Sequence, residues 1–186
     1  MGPSAERGER CSLRKCADCR SIGGSETHGE NSMAQTILDM IKSDHEKTSS
    51  DLKQIMSRAG EASKGKRNEE FDRMHIELLG HMNAEEKIFY PPLESEIREQ
   101  ISHSKEEHEE IRSHLKDIGR SWSEKSEFTQ KLQKLEETIN HHVEEEEEKI
   151  FSTARDSLKE DRLEEMGRQF EQEKQKTVQQ GLAPAR

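Results

Sequence analysis

The chain has 186 residues, of which 28% are hydrophobic and 38% are charged, and its formal net charge is -10 at pH 7. This acidic balance argues against the phosphate backbone of a nucleic acid as a partner, and no apolar run approaches the roughly 20 residues of a membrane span. A disordered acidic chain is the first alternative that such a composition raises, so a folded domain must be supported by its apolar pattern. No apolar leader is visible at the N-terminus, which makes a cytoplasmic location the expectation.

Residues 1–32 are predicted to form a flexible tail, because they are rich in glycine, hold almost no large apolar side chains and lack a helical period. Four of their side chains are of the types that ligate zinc or an iron–sulfur cluster: Cys11, Cys16, Cys19 and His28. Without apolar residues to support such a site, a disordered segment is the favoured interpretation. The helical pattern begins at Met33, so a translation start at that residue is a further alternative.

From Met33 onward, apolar residues recur at steps of three and four, which is the period of an amphipathic helix. Breaks containing glycine or proline divide this pattern into four long segments and a shorter fifth one. The predicted helices cover about residues 34–59, 69–90, 94–118 and 127–155, with the fifth near 159–178. They predict an all-α, up-down-up-down four-helix bundle at 33–158, followed by a C-terminal helix and tail at 159–186.

A histidine interrupts the apolar stripe near the middle of each of the four long helices. These residues are His45, His81, His108 and His142. In the second and fourth helices a glutamate follows one turn later, as H-x-x-x-E, at Glu85 and Glu146. Steps of three, four and seven residues keep all six side chains on the inward faces. Ionised carboxylates in a dry core are costly unless they are paired or bind a cation.

The heights of the histidines along the bundle can be compared from the sequence. Two residues on antiparallel neighbours share a height when both lie equally far from the connecting loop. The midpoints between successive histidines fall at about positions 63, 95 and 125, each in or beside a predicted connection. A single buried histidine is more often a core residue than a ligand, but four at one level, two of them with a glutamate, predict a metal site in the core.

Imidazole and carboxylate ligands without thiolate suit iron or manganese and also accept zinc. Two histidines per ion and two bridging carboxylates would give each of two ions about four protein donors, with positions left open for other ligands. The neighbouring glutamates are expected either to be solvated or to hold the imidazoles from outside. They are Glu86, Glu144, Glu145, Glu147 and Glu148.

The last helix allows two registers for its ligand pair. We favour His142 with Glu146, because His142 continues the apolar stripe, over the alternative of His141 with Glu145. Three other histidines lie off the ligand-bearing faces of their helices: His75, His103 and His114.

The segments that carry these residues resemble the hemerythrin-like family with its HHE cation-binding domain. They are "ILDMIKSDH" around His45, "HMNAEEKIFYP" at 81–91, "EEHEEI" around His108 and "HHVEEEEEKIF" at 141–151. The resemblance covers about residues 34–175. It implies a bundle holding two non-haem iron ions with oxo and carboxylate bridges, and manganese or zinc are possible in their place.

The ligand set is similar to one branch of this family in particular. Oxygen-carrying hemerythrins have an H-x-x-x-H pair on the third helix, whereas Ser104 and Arg112 flank His108 here. Four histidines and two glutamates resemble the set of the repair-of-iron-centres proteins, which are di-iron proteins linked to nitrosative and oxidative stress. Those proteins carry a separate N-terminal domain, of which we find no sign in this sequence.

The resemblance and the ligand pattern together predict a di-iron protein that binds O2, NO or peroxide at open iron positions, for sensing, stress protection or iron handling. We expect a binding protein more than a dedicated enzyme. One alternative is iron–sulfur cluster repair or reduction of NO or peroxide. A second is a structural bundle stapled by one metal, since metal binding couples to folding. Neither a nucleic acid nor a membrane is an expected partner.

Overall fold

The computed structural model describes residues 35–58, 64–120 and 125–182, and every regular element in these ranges is helical. The predicted tail at residues 1–32, with Met33, lies outside the described residues. In chain order the helices are α1 (Ile37–Arg58), α2 (Lys64–Ala84), α3 (Arg98–Arg120), α4 (Lys125–Glu145), α5 (Phe151–Ser157) and α6 (Glu160–Leu182). None of these helices is both long and apolar enough to cross a membrane.

Two π-helical segments extend the helices that carry the H-x-x-x-E motifs. Glu85–Phe89 continues α2. Glu146–Ile150 joins α4 to α5, so that α4, this π-helical segment and α5 form one long helix. Around the bundle each long helix contacts the next, and α4 contacts α1 again. The predicted all-α, up-down-up-down four-helix bundle with an added C-terminal helix is confirmed.

Two helix starts differ from the prediction. α2 begins at Lys64, inside the segment 60–68 that was expected to be a break. Lys64, Lys66 and Arg67 have high helix propensity, which offsets the low propensity of Gly65 within the helix. α3 begins at Arg98 rather than near Glu94, because a turn follows Pro91 before the helix starts.

The C-terminal helix is longer than the predicted one at 159–178, since α6 has 23 residues. It lies close against α2 at two glycines. A Cβ atom on Gly80 would stand 3.0 Å from the backbone oxygen of Lys174, and one on Gly181 would stand 2.9 Å from the Cγ2 atom of Ile76. The two helices can approach this closely only because neither position carries a side chain. These glycines therefore allow α6 to cover the outer face of α2.

The apolar core is divided into two clusters along the bundle axis. One cluster includes Ile41, Phe89, Ile101 and Phe151. The other includes Leu52, Leu78, Ile111 and Ile139. On each of the four long helices the chain passes from one cluster to the other at the interrupting histidine. The polar layer predicted from the loop midpoints therefore separates the two clusters.

Candidate metal centre

The six predicted ligands meet in the layer between the two apolar clusters. Their exposed fractions lie between 0% and 6%: His45, His81, Glu85, His108, His142 and Glu146. Five of the six, all except Glu146, form two groups of donor atoms, each with all atoms within 4.8 Å of one another. One group contains His45 and His81, here called the first histidine pair. The other contains His108 and His142, the second histidine pair, and Glu85 belongs to both groups.

Glu85 divides its two carboxylate oxygens between the histidine pairs. Its Oε1 atom lies 2.9 Å from Nε2 of His81 and 3.8 Å from Nε2 of His45. Its Oε2 atom lies 3.3 Å from Nε2 of His108. A carboxylate placed in this way could hold one cation on each oxygen.

Glu146 reaches across the same two histidine pairs from another helix. Its Oε2 atom lies 3.3 Å from Nε2 of His45 and 4.0 Å from Nε2 of His142. Its Oε1 atom accepts a hydrogen bond of 2.9 Å from the hydroxyl of Tyr90. Only one oxygen of Glu146 thus faces the space between the histidines, whereas both oxygens of Glu85 face it.

Four buried atoms of this layer have no hydrogen-bond partner. They are His45 Nε2, Glu85 Oε1, Glu85 Oε2 and Glu146 Oε2. The closest neighbour of Glu85 Oε1 among the histidines is Nε2 of His81, at 2.9 Å. A buried polar atom without a partner costs about 1–3 kcal/mol, and more when it carries charge. Atoms of this kind, all facing one space, fit a pair of metal ions, because a cation satisfies imidazole nitrogens and carboxylate oxygens together.

Each of the two glutamates opens a π-helical segment. The carbonyl of Glu85 accepts from the N–H of Tyr90 at 2.9 Å, and the carbonyl of Glu146 accepts from the N–H of Phe151. Both bonds join residues five apart, which makes a wider turn than an α-helix has, and such turns are frequent at functional sites. The heights of the ligands along the bundle were calculated for regular α-helices, so they do not include the extra residue in each of these wider turns.

At each π-helical segment, two successive glutamates reach the two nitrogens of one histidine on a neighbouring helix. Glu85 lies near Nε2 of His108, while Glu86 lies 2.8 Å from its Nδ1 atom. Likewise, Glu146 lies near Nε2 of His45, while Glu147 lies 3.0 Å from its Nδ1 atom. One glutamate of each couple therefore faces the centre and the other fixes a ring from outside.

All four histidines have a carboxylate on Nδ1. The couples are His45 with Glu147, His81 with Asp44, His108 with Glu86 and His142 with Glu107, at 3.0, 3.2, 2.8 and 3.0 Å. Each carboxylate comes from a different helix than its histidine, so the couples form a closed ring around the bundle. Because an ionised carboxylate can only accept, Nδ1 carries the hydrogen, and each imidazole, in the neutral form that binds a metal, turns the lone pair of Nε2 towards the centre.

The sequence anticipated half of this outer ring. Glu86 and Glu147 hold imidazoles, which was one of the two roles expected for them. Asp44 and Glu107 were missed. Each adjoins a predicted ligand in the sequence, but the histidine that it contacts lies on another helix, so adjacency was the only available signal.

Burial distinguishes the two registers considered for α4, and a tyrosine joins the layer. His142 is buried, whereas His141 is 61% exposed, so the favoured register is the one whose histidine lies in the layer. Tyr90 is buried, and its ring stacks on that of His108 with 5.8 Å between the centroids. It was missed because the prolines that follow it were read only as the end of a helix.

Opposing effects set the charges in this layer. Burial alone would lower the pKa of His81, but Glu85 and Asp44 outweigh it and raise the pKa to about 10. The pKa values of His45 and His108 are also raised, because nearby glutamates outweigh burial. Burial would raise the pKa of Glu85, but His81 and His108 hold it well below its usual range. The imidazoles thus supply positive charge that bound cations could replace.

Tyr90 has the opposite tendency. Burial, followed by the charges of Glu146 and Glu85, raises the pKa of its phenol well above the ordinary value. The hydroxyl therefore stays protonated and donates to Glu146. It also lies 3.4 Å from Nε2 of His108. Tyr90 is thus placed to orient Glu146 without adding negative charge.

Comparisons with known proteins agree with this geometry. Residues 36–154 match the model of the hemerythrin HHE cation-binding domain, which is well over half of the chain. No curated protein and no solved structure matches significantly. The matched range contains all six predicted ligands and all four outer carboxylates, while α6 lies beyond it. The chain therefore belongs to the hemerythrin family, as a member with the HHE cation-binding domain.

Proposed function

We propose that this protein holds two non-haem iron ions and binds O2, NO or peroxide at iron positions that its side chains leave open. The first histidine pair would hold one ion and the second pair the other, with Glu85 and Glu146 between them. The observation that carries this proposal is Glu85, whose two unpartnered oxygens each face a different histidine pair. When bound, iron supplies Lewis acidity and accessible redox states.

The donor set supports iron over a closed structural zinc site. Structural zinc is held mainly by cysteine and histidine in a complete tetrahedron. The candidate centre instead offers imidazoles and two carboxylates shared between two positions, with no thiolate among the described residues. About four protein donors per ion would leave room for another ligand, and manganese is the closest competitor for such a set.

The size of the ligand is limited by burial. The six side chains of the centre are at most 6% exposed, so a large substrate has no direct contact with them. A molecule with only two non-hydrogen atoms can enter such a layer through small fluctuations of the packing. This favours O2, NO or peroxide, and with them a role in sensing, stress protection or iron handling.

Metal analysis with optical spectroscopy tests this function. The full-length protein is expected to hold two iron ions per chain, with charge-transfer absorption that changes when the ferrous form meets O2, NO or peroxide. The Glu148→Gln variant is the control, because Glu148 is exposed and points away from the centre. One zinc ion per chain without visible absorption would instead leave the stapled bundle as the better account. Catalytic consumption of NO or peroxide would support the enzyme alternative.

A further inference from the structure

A second group of metal-ligating side chains lies on the outer surface, between α3 and α4. His103 and Glu107 belong to α3, Glu145 belongs to α4, and their donor atoms lie within 4.8 Å of one another. Nε2 of His103 is 3.6 Å from Oε1 of Glu107 and 3.5 Å from Oε2 of Glu145. His141 adjoins them, with Nδ1 2.8 Å from Oε1 of Glu107.

Two features distinguish this group from an ordinary pair on a helix surface. His103 and Glu107 are four residues apart, and such pairs commonly contribute only a few tenths of a kcal/mol, about 0.2–0.5. Here a second helix adds Glu145, and a second imidazole stands beside the first, with ring centroids 6.5 Å apart. The group therefore brings together two imidazoles and two carboxylates from two helices.

Glu107 is also held in place, unlike a free surface carboxylate. Its side chain is only 9% exposed. Its Oε2 atom lies 3.0 Å from Nδ1 of the buried His142, which directs Oε1 outward to His103 and His141. A ligand atom fixed in this way loses little conformational freedom when an ion binds.

We propose that His103, Glu107 and Glu145 form a surface site for a divalent transition-metal ion, with His141 bonded to Glu107 beside it. Imidazole with carboxylate suits zinc, ferrous iron, cobalt, nickel and copper better than calcium or magnesium, which prefer oxygen ligands alone. Lys149 takes only one oxygen of Glu145, at 2.7 Å, so the other stays available to the ion. Solvent molecules complete the coordination, because the site is open on its outer side.

The two sites share one carboxylate. Glu107 contacts the surface site through one oxygen and His142 of the candidate centre through the other. An ion at the surface would therefore draw on the same carboxylate that orients an interior histidine. The existence of the surface site does not depend on which metal the interior centre holds.

Zinc titration of the full-length protein, with its interior metal content measured beforehand, tests the proposal. The His103→Ala/Glu145→Gln double variant removes two surface donors and leaves every interior residue unchanged. The matched control is His114→Ala/Glu110→Gln, which removes another histidine–glutamate pair on α3, 3.2 Å apart, whose histidine is half-buried and whose glutamate is exposed. Thermal unfolding of each variant by circular dichroism verifies that both remain folded.

The expected result is one further zinc ion per chain for the unchanged protein and for the control, and its loss in the His103→Ala/Glu145→Gln variant. The interior metal content should be the same in all three proteins. Metal released into the filtrate during the titration measures any change in it. Equal zinc uptake by all three would overturn the proposal, and so would an equal loss in the control. Failure of the di-iron proposal would appear separately, in the interior metal content.

Discussion

The two H-x-x-x-E motifs are alike in sequence but have different surroundings in the folded chain. Glu85 and Glu146 both open a π-helical segment and both lie between the histidine pairs. Neither oxygen of Glu85 has a hydrogen-bond partner, although both lie near histidines, whereas one oxygen of Glu146 accepts a hydrogen bond from Tyr90. The same motif therefore offers two free oxygens at one position and a single free oxygen at the other.

The histidines of the two motifs differ in the same way. His81 is backed by Asp44, which accepts from Lys174 of α6 at 2.8 and 2.9 Å. The ring of Phe170, also from α6, packs edge-on against His81. His142 is backed by Glu107, which leads to the surface group. The motif of His81 and Glu85 is thus covered by the C-terminal helix, whereas the motif of His142 and Glu146 is linked through Glu107 to side chains on the surface. The packing of neighbouring helices, not the motif itself, produces this difference.

The largest expected effect is on the two glutamates themselves. Glu85→Gln removes a carboxylate whose oxygens face both histidine pairs, so we expect loss of both ions and a lower melting temperature than that of the loaded protein, because bound ions stabilise the folded state. Glu146→Gln removes one free oxygen and should weaken binding while retaining about one ion. Metal content by plasma emission measures this. Equal loss in the two variants would contradict the difference between the motifs.

The next largest expected effect is the release of protons on metal uptake, and it concerns His81 of the first H-x-x-x-E motif. The pKa of His81 is raised to about 10, so its charge contributes stability fully below about pH 6.5 and this contribution is lost as the pH rises through about 10. An ion needs the neutral imidazole, so uptake should release at least one proton per chain at pH 8, and affinity should rise with pH. Anaerobic calorimetry with Fe²⁺ in buffers of different ionisation enthalpy counts the protons. Heats that do not depend on the buffer would be inconsistent with this account.

Asp44→Asn should have a smaller effect than either glutamate change. It replaces the carboxylate on Nδ1 of His81 by an amide and removes a charge that supports the basic form of the metal-binding nitrogen. Loss of such an outer partner typically weakens metal binding by about 10–100-fold. A competition titration with a chelator measures the change. Glu46→Gln, at an exposed position on the same helix, should retain full affinity.

Lys174→Met should have the smallest effect of the series. Lys174 bonds Asp44 and lies over the ring of Phe170 without bonding His81 itself, so its loss should weaken metal binding by less than the roughly 10-fold lower bound for Asp44→Asn. Lys176→Met is the matched control, because Lys176 is exposed and pairs with Glu173 on the same helix. The chelator competition used for Asp44 applies here. An effect on the control as large as that on Lys174 would mean that α6 acts only by packing.

The positions of the candidate ligands could be predicted because they depend on two regular quantities. The apolar period identifies the inward faces, and the loop midpoints give the heights, so the burial of His45, His81, His108 and His142 in one layer could be predicted from the sequence. The bundle followed from the same periods. Both quantities are local or nearly so, and they survive small errors in the helix ends, such as the late start of α3.

The remaining features depend on contacts between helices. Nothing in the period marks a π-helical segment, so the way in which Glu85 and Glu86 reach one histidine could not be predicted. Acidic residues are abundant on every helix, and only the packing selects Asp44 and Glu107 from them. The role of α6 was missed because its apolar stripe does not reveal that Lys174 lies over Asp44.

The central claim is that Glu85 bridges two iron ions, one at each histidine pair. Crystals of the iron-loaded protein, with anomalous data collected on both sides of the iron absorption edge, test it directly. The account predicts two iron peaks about 3.5–4 Å apart, as in two-metal sites generally, with one oxygen of Glu85 on each. A single peak, or two peaks that do not share Glu85, would contradict it.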